Sequence, residues 1–255
     1  MKKVSIITGG GRGIGRAISL RLAKDTNVIV VGRTKEDLVS ICKEITLLRQ
    51  GFEGRAVYIV GDITDPKTAD KAVALAEKKK WQIVNLVCNA GIGKSGKTET
   101  FDKKLWRDMF DVNVHGAFYF VQACLPTMLK NKKGTICLMS SIAGVKGYSY
   151  IAGYTATKHA LVGLARSLAQ EYGKHGIVAV PICPGFVESE MTTRTIHGVM
   201  ERHGISEVEA RARVAAGNPQ KRIIPAEEVA EAIAFVCSGK VPSLSGNPLI
   251  LSGGE

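Results

Sequence analysis

The 255-residue sequence predicts an open, doubly wound α/β fold in one domain, with a parallel sheet of seven strands. Three observations carry this expectation. Short Val- and Ile-rich runs alternate with stretches of helical periodicity, the pattern of strands buried on both faces by crossover helices. A length near 255 corresponds to one or two domains, and no linker, repeat or low-complexity tract divides the chain. The composition, 45% hydrophobic and 23% charged, suits one large core and excludes collagen-like, disordered and disulfide-scaffold classes.

The elements follow in order. The first strand, residues 4–7, stops in a glycine cluster, and a helix is expected over 13–24. The second, 28–31, runs into Gly32-Arg33-Thr34 and a helix over 35–49; the third, 56–60, into Asp62-Ile63 and a helix over 66–79. The fourth, 83–88, closes in Asn89-Ala90-Gly91, with one long helix expected over 103–129. The fifth, 135–139, precedes Ser141 and a helix over 152–172, and the sixth, 178–182, meets Cys183-Pro184. A helix over 226–237 leads to the seventh strand at 249–251. Residues 188–222 break the rhythm: they are polar, charged and helix-forming where a short turn would serve. Because ligands of open parallel sheets sit beyond the carboxyl ends of the strands, this insertion is expected to be a lid; a decorative surface helix is the alternative.

Lysine and arginine number 35 against 23 aspartates and glutamates, a net charge of +12. Residues 1–133 hold 24 basic and 13 acidic residues, so the positive field belongs to the first half. Such a field attracts phosphates of a nucleotide, a coenzyme A, a carrier protein or a nucleic acid. Runs such as Lys78-Lys79-Lys80 read as solvated surface, and the lysine clusters lack interleaved base-stacking aromatics, so nucleic-acid binding ranks below an enzyme. The six cysteines, Cys42, Cys88, Cys124, Cys137, Cys183 and Cys237, show no C-x-x-C pair and read as reduced core residues. No apolar run approaches a membrane span, and no secretory leader is recognisable, so the expected compartment is the cytoplasm.

The glycine cluster is Thr8-Gly9-Gly10-Gly11-Arg12-Gly13-Ile14-Gly15. Glycines let the backbone approach a pyrophosphate, whose charge the amides at a helix start can meet. The spacing is not G-x-G-x-x-G, since Ile18 stands three residues after Gly15. After the second strand, an NAD enzyme would place a carboxylate on the ribose 2′-hydroxyl; this chain has Arg33-Thr34 there. A guanidinium forks onto a 2′-phosphate, and Arg12 could meet the same group, so NADP(H) is favoured over NAD(H). Exposed arginines without that role are the alternative.

Among six tyrosines only Tyr154 has a lysine four residues on, Lys158, within a helical pattern that puts both on one face. A phenol near pKa 10 exchanges protons poorly at neutrality, and a neighbouring ammonium is expected to lower that value. Ser141 lies thirteen residues before Tyr154, just past the fifth strand; its hydroxyl could stabilise negative charge developing on a substrate oxygen. Separately, Ser141 could be a turn residue, Tyr154 a core aromatic and Asn113 a polar residue within a helix.

Together, T-G-x-x-x-G-x-G, Asn89-Ala90-Gly91, Ser141 and Tyr154-x-x-x-Lys158 resemble the short-chain dehydrogenase/reductase family over nearly the whole chain. The resemblance implies a Rossmann-type fold and hydride transfer between a nicotinamide and a carbonyl carbon, with Tyr154 as acid/base and no metal. It implies a nicotinamide-ribose contact for Lys158 and, for Asn113, support of a water-linked proton path. It also implies cofactor contacts from Gly9, Gly11, Arg12, Gly13, Ile14, Gly15, Arg33, Thr34, Asn89, Ala90, Gly91, Tyr154 and Lys158, and an adenine bracket from Asp62 and Ile63. Pro184-Gly185-Phe186-Val187-Glu188-Ser189 is similar to the segment that holds the nicotinamide amide, with Ser189 in place of threonine, so Pro184, Gly185, Val187 and Ser189 complete that set.

Within the family, Asn218-Pro219-Gln220-Lys221-Arg222 and the later glycines resemble 3-oxoacyl-thioester reductases and 3-hydroxyacyl dehydrogenases. The implied substrate is an acyl thioester on acyl carrier protein or coenzyme A, with Lys130, Lys132, Lys133 and His175 as a carrier docking patch. The apolar faces over 103–129 and 152–172 resemble the family's subunit interfaces, and that resemblance implies a homotetramer, or else a dimer. The alternatives are an NAD-linked alcohol or 3-hydroxyacyl-coenzyme A dehydrogenase and, further off, a nucleotide hydrolase. For the last, Gly91-Ile92-Gly93-Lys94-Ser95-Gly96-Lys97-Thr98 satisfies G-x-x-x-x-G-K-S/T, although Glu99-Thr100-Phe101-Asp102 intervenes before the expected helix.

Overall fold

Strand β1 (Lys2–Thr8) has side chains buried on both faces, with Ile6 in one apolar layer and Ile7 in the other. This places it at the centre of the sheet. The computed structural model describes residues 2–48 and 56–255; Arg49, the last residue of the expected second helix, lies outside them. The other strands are β2 (Asn27–Gly32), β3 (Ala56–Val60), β4 (Trp81–Cys88), β5 (Gly134–Met139), β6 (Ile177–Pro184) and β7 (Leu249–Leu251). All pair in parallel, in the order β3-β2-β1-β4-β5-β6-β7. The order reverses between β1 and β4, and the crevice of such a sheet opens at the carboxyl ends there.

Helices α1 (Gly13–Leu22), α2 (Lys35–Leu48) and α9 (Ala226–Cys237) cover one face, packing on Ile7, Val28, Val30, Val87 and Val180. The other face carries α3 (Pro66–Lys78), α5 (Gly116–Lys130) and α6 (Ala152–Tyr172), whose Ala72, Phe120, Leu161 and Ala165 meet Val4, Ile6, Ile29 and Leu86. Each fully buried Leu, Ile or Phe contributes about 1.5–3 kcal/mol, so these two layers dominate stability. A buried polar chain crosses from β4 to β1: Asn85 Nδ2 donates to Ser5 Oγ at 2.9 Å, which shares a 2.7 Å bond with Thr26. Every member has a partner, the condition for tolerating polar groups here.

The expected helix over 103–129 is two helices. α4 (Lys103–Phe110) gives way to a π-helical turn, Asp111–His115, before α5 begins. The turn holds Asn113, buried, with its amide bonded away from its own helix: Oδ1 accepts from Ile92 N at 2.8 Å, and Nδ2 donates to Ile92 O at 2.9 Å and Thr157 Oγ1 at 3.0 Å. Long-range bonds of this kind are invisible to helical periodicity, and such π turns recur at functional sites.

Residues 188–222 do fold as helices, α7 (Glu190–His203) and α8 (Glu207–Ala215), around a small cluster of Ile196, Ala210, Val214 and Ile223. The pair hangs from one parallel bridge, Val187 to Ile224. Among the described residues no helix is long and apolar enough to cross a membrane.

Candidate active site

The turn between β1 and α1 is shaped by backbone proximity. Gly9 and Gly13 hold positive φ, at 64° and 51°, which L side chains rarely adopt. A Cβ on Gly15 would lie 1.9 Å from Gly9 O, so only glycine lets the turn fold back on the helix start. Gly11 is tight against Asp37, where a Cβ would come within 2.9 Å. Arg12 occupies the N-cap of α1 and makes no capping bond, so among the described residues no side chain claims the first-turn amides of Gly13, Ile14 and Gly15. Uncapped amides at a glycine turn are an anion site, and these residues fit a dinucleotide pyrophosphate.

Asn89 braces this turn from β4. Its Nδ2 donates to Thr8 O at 3.0 Å and Gly9 O at 3.3 Å, while Thr8 Oγ1 accepts from the amides of Asn89 and Ala90 at 3.0 and 3.1 Å. Asn89 and Ala90 therefore act on the loop from behind. The sequence pattern includes Thr8 as the residue before the glycines, but not its role as acceptor for the Asn89 and Ala90 amides.

Arg33 is exposed at the end of β2, with Thr34 beside it, and faces Asp62 at 3.9 Å. Arg12 pairs with Glu190 at 3.0 Å, both exposed. Exposed pairs of this kind contribute about 0–1 kcal/mol, so both guanidiniums are available to an incoming phosphate. The Asp62 carboxylate accepts from Thr64 N and Oγ1, each at 2.9 Å, and Ile63 is buried with its side chain against Gly116. The adenine bracket expected of these two residues would thus involve a carboxylate already engaged and a side chain facing the core.

Beyond β5, Ser141 Oγ accepts from Ala143 N at 3.1 Å and donates to Pro184 O at 3.4 Å. Tyr154 and Lys158 share a face of α6, with Lys158 Nζ 5.3 Å from the tyrosine ring centre and donating to Met139 O at 2.7 Å. Gly91 borders the same place: a Cβ there would sit 3.2 Å from Asn113 Oδ1 and 3.5 Å from Lys158 Nζ. Asn113, Ser141, Tyr154 and Lys158 converge on one buried position at the carboxyl ends of β4, β5 and β6, next to the phosphate turn. Met139, Thr157 and Met191 also belong to it, and neither spacing nor composition marked them.

The protonation expected from spacing does not hold. Burial pushes the Tyr154 phenol up to about 12, and hydrogen bonding from Ser141 only partly opposes this. Burial likewise lowers Lys158 to about 8. Burial disfavours the charged form of each group, and for the phenol it is the largest influence here.

Gly185 N donates to Leu251 O at 2.9 Å, tying the segment after Pro184 to β7, and Val187 is buried. Ser189 caps α7, accepting from Thr192 N at 3.3 Å. A Cβ on Gly13 would be 3.9 Å from Ser189 Cβ, and one on Gly93 would be 3.4 Å from Met191 Sδ. The start of the insertion thus lies over both the phosphate turn and the Tyr154 side of the site, where a lid belongs. In Gly91–Thr98 the pattern of a nucleotide-hydrolase loop lacks its helix: Thr98–Thr100 is a short 3₁₀ turn, and α4 starts at Lys103, capped by Asp102. The chain there instead packs on Tyr154.

A phosphate turn beside a half-buried tyrosine and a buried lysine, on a sheet of this order, is the layout of a dinucleotide-dependent oxidoreductase. The family model described as short chain dehydrogenase matches residues 3–199, and the chain belongs to that family of oxidoreductases. It is 30% identical over 257 residues to the 3-oxoacyl-acyl-carrier-protein reductase FabG of Staphylococcus aureus, covering 100% of this chain and 98% of that protein. A solved variant of actinorhodin polyketide ketoreductase with NADPH superposes with a TM-score of 0.92 at 29% identity, covering 99% of this chain and 96% of that one. L-Sorbose reductase from Gluconobacter frateurii, complexed with NADPH and L-sorbose, gives 0.91 at 26% identity, with coverage of 99% and 96%.

Two outcomes follow from this geometry. Gly15→Ala forces the turn away from the helix start; with overpacking costing about 1–3 kcal/mol, dinucleotide affinity in a fluorescence titration falls about tenfold or more while the fold persists by circular dichroism. Lys158 has a folded pKa near 8 against 10.5 for the free side chain. Between those values the unfolded chain binds more protons, so this group's contribution to stability rises with pH through the window and is lost as pH falls. Urea unfolding of the wild type and of Lys158→Met at pH 7.5 and 10 measures it: the difference in unfolding free energy, wild type minus variant, increases at the higher pH.

Proposed function

We propose that this protein is an NADP(H)-dependent reductase that interconverts a ketone and a secondary alcohol, with a 3-oxoacyl thioester as its substrate class. The observation that carries the reading is the convergence of Asn113, Ser141, Tyr154 and Lys158 on one buried position beside an uncapped phosphate turn. The turn 9–15, Arg12, Arg33 and Thr34 would hold the dinucleotide's phosphates, and Tyr154 and Lys158 its nicotinamide ribose. When bound, the nicotinamide supplies or accepts the hydride.

In this reading Tyr154 hands its phenolic proton to the substrate oxygen. A phenol near 12 is protonated at neutral pH, the form reduction needs, and it is still far more acidic than the alcohol it creates. Ser141 donates a hydrogen bond to the same oxygen as charge develops on it. Lys158, anchored on Met139 O, fixes the distance between α6 and β5. Asn113 spends both amide protons on Ile92 and Thr157 and holds the 90–92 segment against the site, so its part is positional here; a water path would have to use other atoms of the turn.

The thioester class is supported by the likeness to the Staphylococcus aureus reductase, not by the basic patch. Lys130, Lys132, Lys133 and His175 are exposed where β5 and β6 begin. The eight residues of β6 put this patch roughly 26 Å from the reacting end of the same subunit. A carrier docked there would have to span the sheet or serve another copy. Exposed Trp106 on α4 and Phe118 on α5 suit a subunit interface, and a homotetramer is our reading. A reducing compartment, the cytoplasm, suits six free cysteines.

A panel of ketones, 3-oxoacyl thioesters and secondary alcohols, with NADPH, NADH and their oxidised forms, tests the whole. Ketone reduction with NADPH is expected; alcohol oxidation with NAD alone would overturn the direction and cofactor assigned. Tyr154→Phe lowers kcat by about 10²- to 10⁴-fold while NADPH still binds. Arg33→Ala removes a charge-assisted contact to the 2′-phosphate, and kcat/KM with NADPH falls about 10- to 100-fold with no matching loss for NADH.

A further inference from the structure

Residues 145–151 join the Ser141 turn to the start of α6, and so link the proposed hydroxyl donor to the proposed acid. Two contacts hold this loop. On one side Tyr150 O accepts from Gly96 N at 2.8 Å, with Tyr150 itself at a φ of 67°, a conformation a bulky residue keeps only where its surroundings impose it. On the other side the loop meets Glu255, which lies beyond β7. Tyr148 donates its hydroxyl proton to Glu255 Oε1 at 2.5 Å, and Lys146 Nζ reaches the same oxygen at 2.9 Å. Lys146 also stands over the Tyr148 ring, 5.1 Å from its centre, so the three side chains form one closed unit.

Glu255 is mostly buried, with only 16% of its side chain exposed, which separates this contact from the exposed pairs elsewhere on the molecule. Its other carboxylate oxygen faces Gly217, where a Cβ would lie 3.5 Å away, at the end of the lid. Gly253 packs against the Asn218 side chain, and Asn218 accepts from Gln220 N at 2.8 Å and donates to Arg222 O at 2.9 Å. Ser252 Oγ donates to Glu255 O at 3.2 Å and sets the direction in which the residue points. One carboxylate therefore bonds to the loop between Ser141 and Tyr154 and lies beside Gly217, near the end of the 188–222 insertion.

We infer that Glu255 is a positioning residue for the carbonyl–alcohol step, a latch that holds the 145–151 loop in register with the end of the lid through Tyr148 and Lys146. The inference rests on the proposed function for what the loop positions, while the latch itself is a property of the fold. A charge-assisted bond to a mostly buried carboxylate is worth enough to set a loop's population, and a misplaced substrate wall lowers the fraction of productive encounters.

The test compares wild type with Glu255→Ala, Glu255→Gln, Tyr148→Phe and the double variant Glu255→Ala/Tyr148→Phe. With a short 3-oxoacyl thioester and NADPH, Glu255→Ala is expected to raise KM about tenfold, with unchanged NADPH affinity. Glu255→Gln, which can still accept from Tyr148, recovers part of the loss, and the double variant is no worse than Glu255→Ala because both remove the same contact. Amide hydrogen exchange supplies the second readout: peptides spanning 145–151 exchange faster in Glu255→Ala, while those from β4 and β5 do not change. If no ketone is turned over by the wild type, the functional reading fails, and the exchange result alone then decides the latch. Wild-type exchange over 145–151 in Glu255→Ala overturns the proposal; so does an unchanged KM in a wild-type-active preparation, or an equal loss of NADPH binding and thermal stability, which would mark Glu255 as a general structural contact.

Discussion

A lysine withdrawn from water is a costly group to fold around, and this site is organised by what makes one tolerable. Lys158 Nζ gives a 2.7 Å bond to Met139 O at the end of β5, and that bond ties α6 to the strand end. Everything else follows from that tie. Tyr154, one turn earlier on the same helix, is carried into the same dry region, and Ser140 Oγ donates to Lys158 O at 2.8 Å, closing the strand end onto the helix from the other direction. With burial lowering the lysine and raising the tyrosine, the pair sits neutral rather than charged over part of the accessible pH range.

The phosphate turn depends on a different economy of space. Its glycines are required by contact distances: Gly15 against Gly9 O and Gly11 against Asp37 leave no room for a side chain. Asn89 then supplies from β4 the hydrogen bonds that the turn cannot make within itself. Because β1 and β4 are neighbours at the reversal of strand order, the turn and the Tyr154 region are forced to share one crevice. The 188–222 insertion reaches across both with its first turn, Ser189 near Gly13 and Met191 near Gly93.

Much of this was legible in the sequence. The seven strands were marked by β-branched runs whose ends lay within a few residues of the hydrogen-bonded limits, and α6 and α9 agree with expectation at both ends. Periodicity failed where a long-range bond intervened. The break in the helix at Asp111–His115 answers to Ile92 and Thr157, residues far away in the chain. The basic patch was legible as charge, yet only the direction of β5 and β6 shows that it sits at the edge remote from Tyr154. Glu255 carries no local signal, and Thr8, legible as the first residue of the glycine motif, gains its bonding role only from the segment that follows β4.

What the sequence alone determined was the list of parts: a glycine turn after a buried strand, a tyrosine and lysine one helical turn apart, a serine at a strand end, an arginine just past the second strand. These depend on neighbours within a few residues, and local stereochemistry is written locally. What only the tertiary structure decided was their state. Whether a phenol is acidified by an ammonium depends on the water left around both, and the water is removed by elements more than a hundred residues apart in the chain. Proximity is a property of spacing, whereas desolvation is a property of the whole fold.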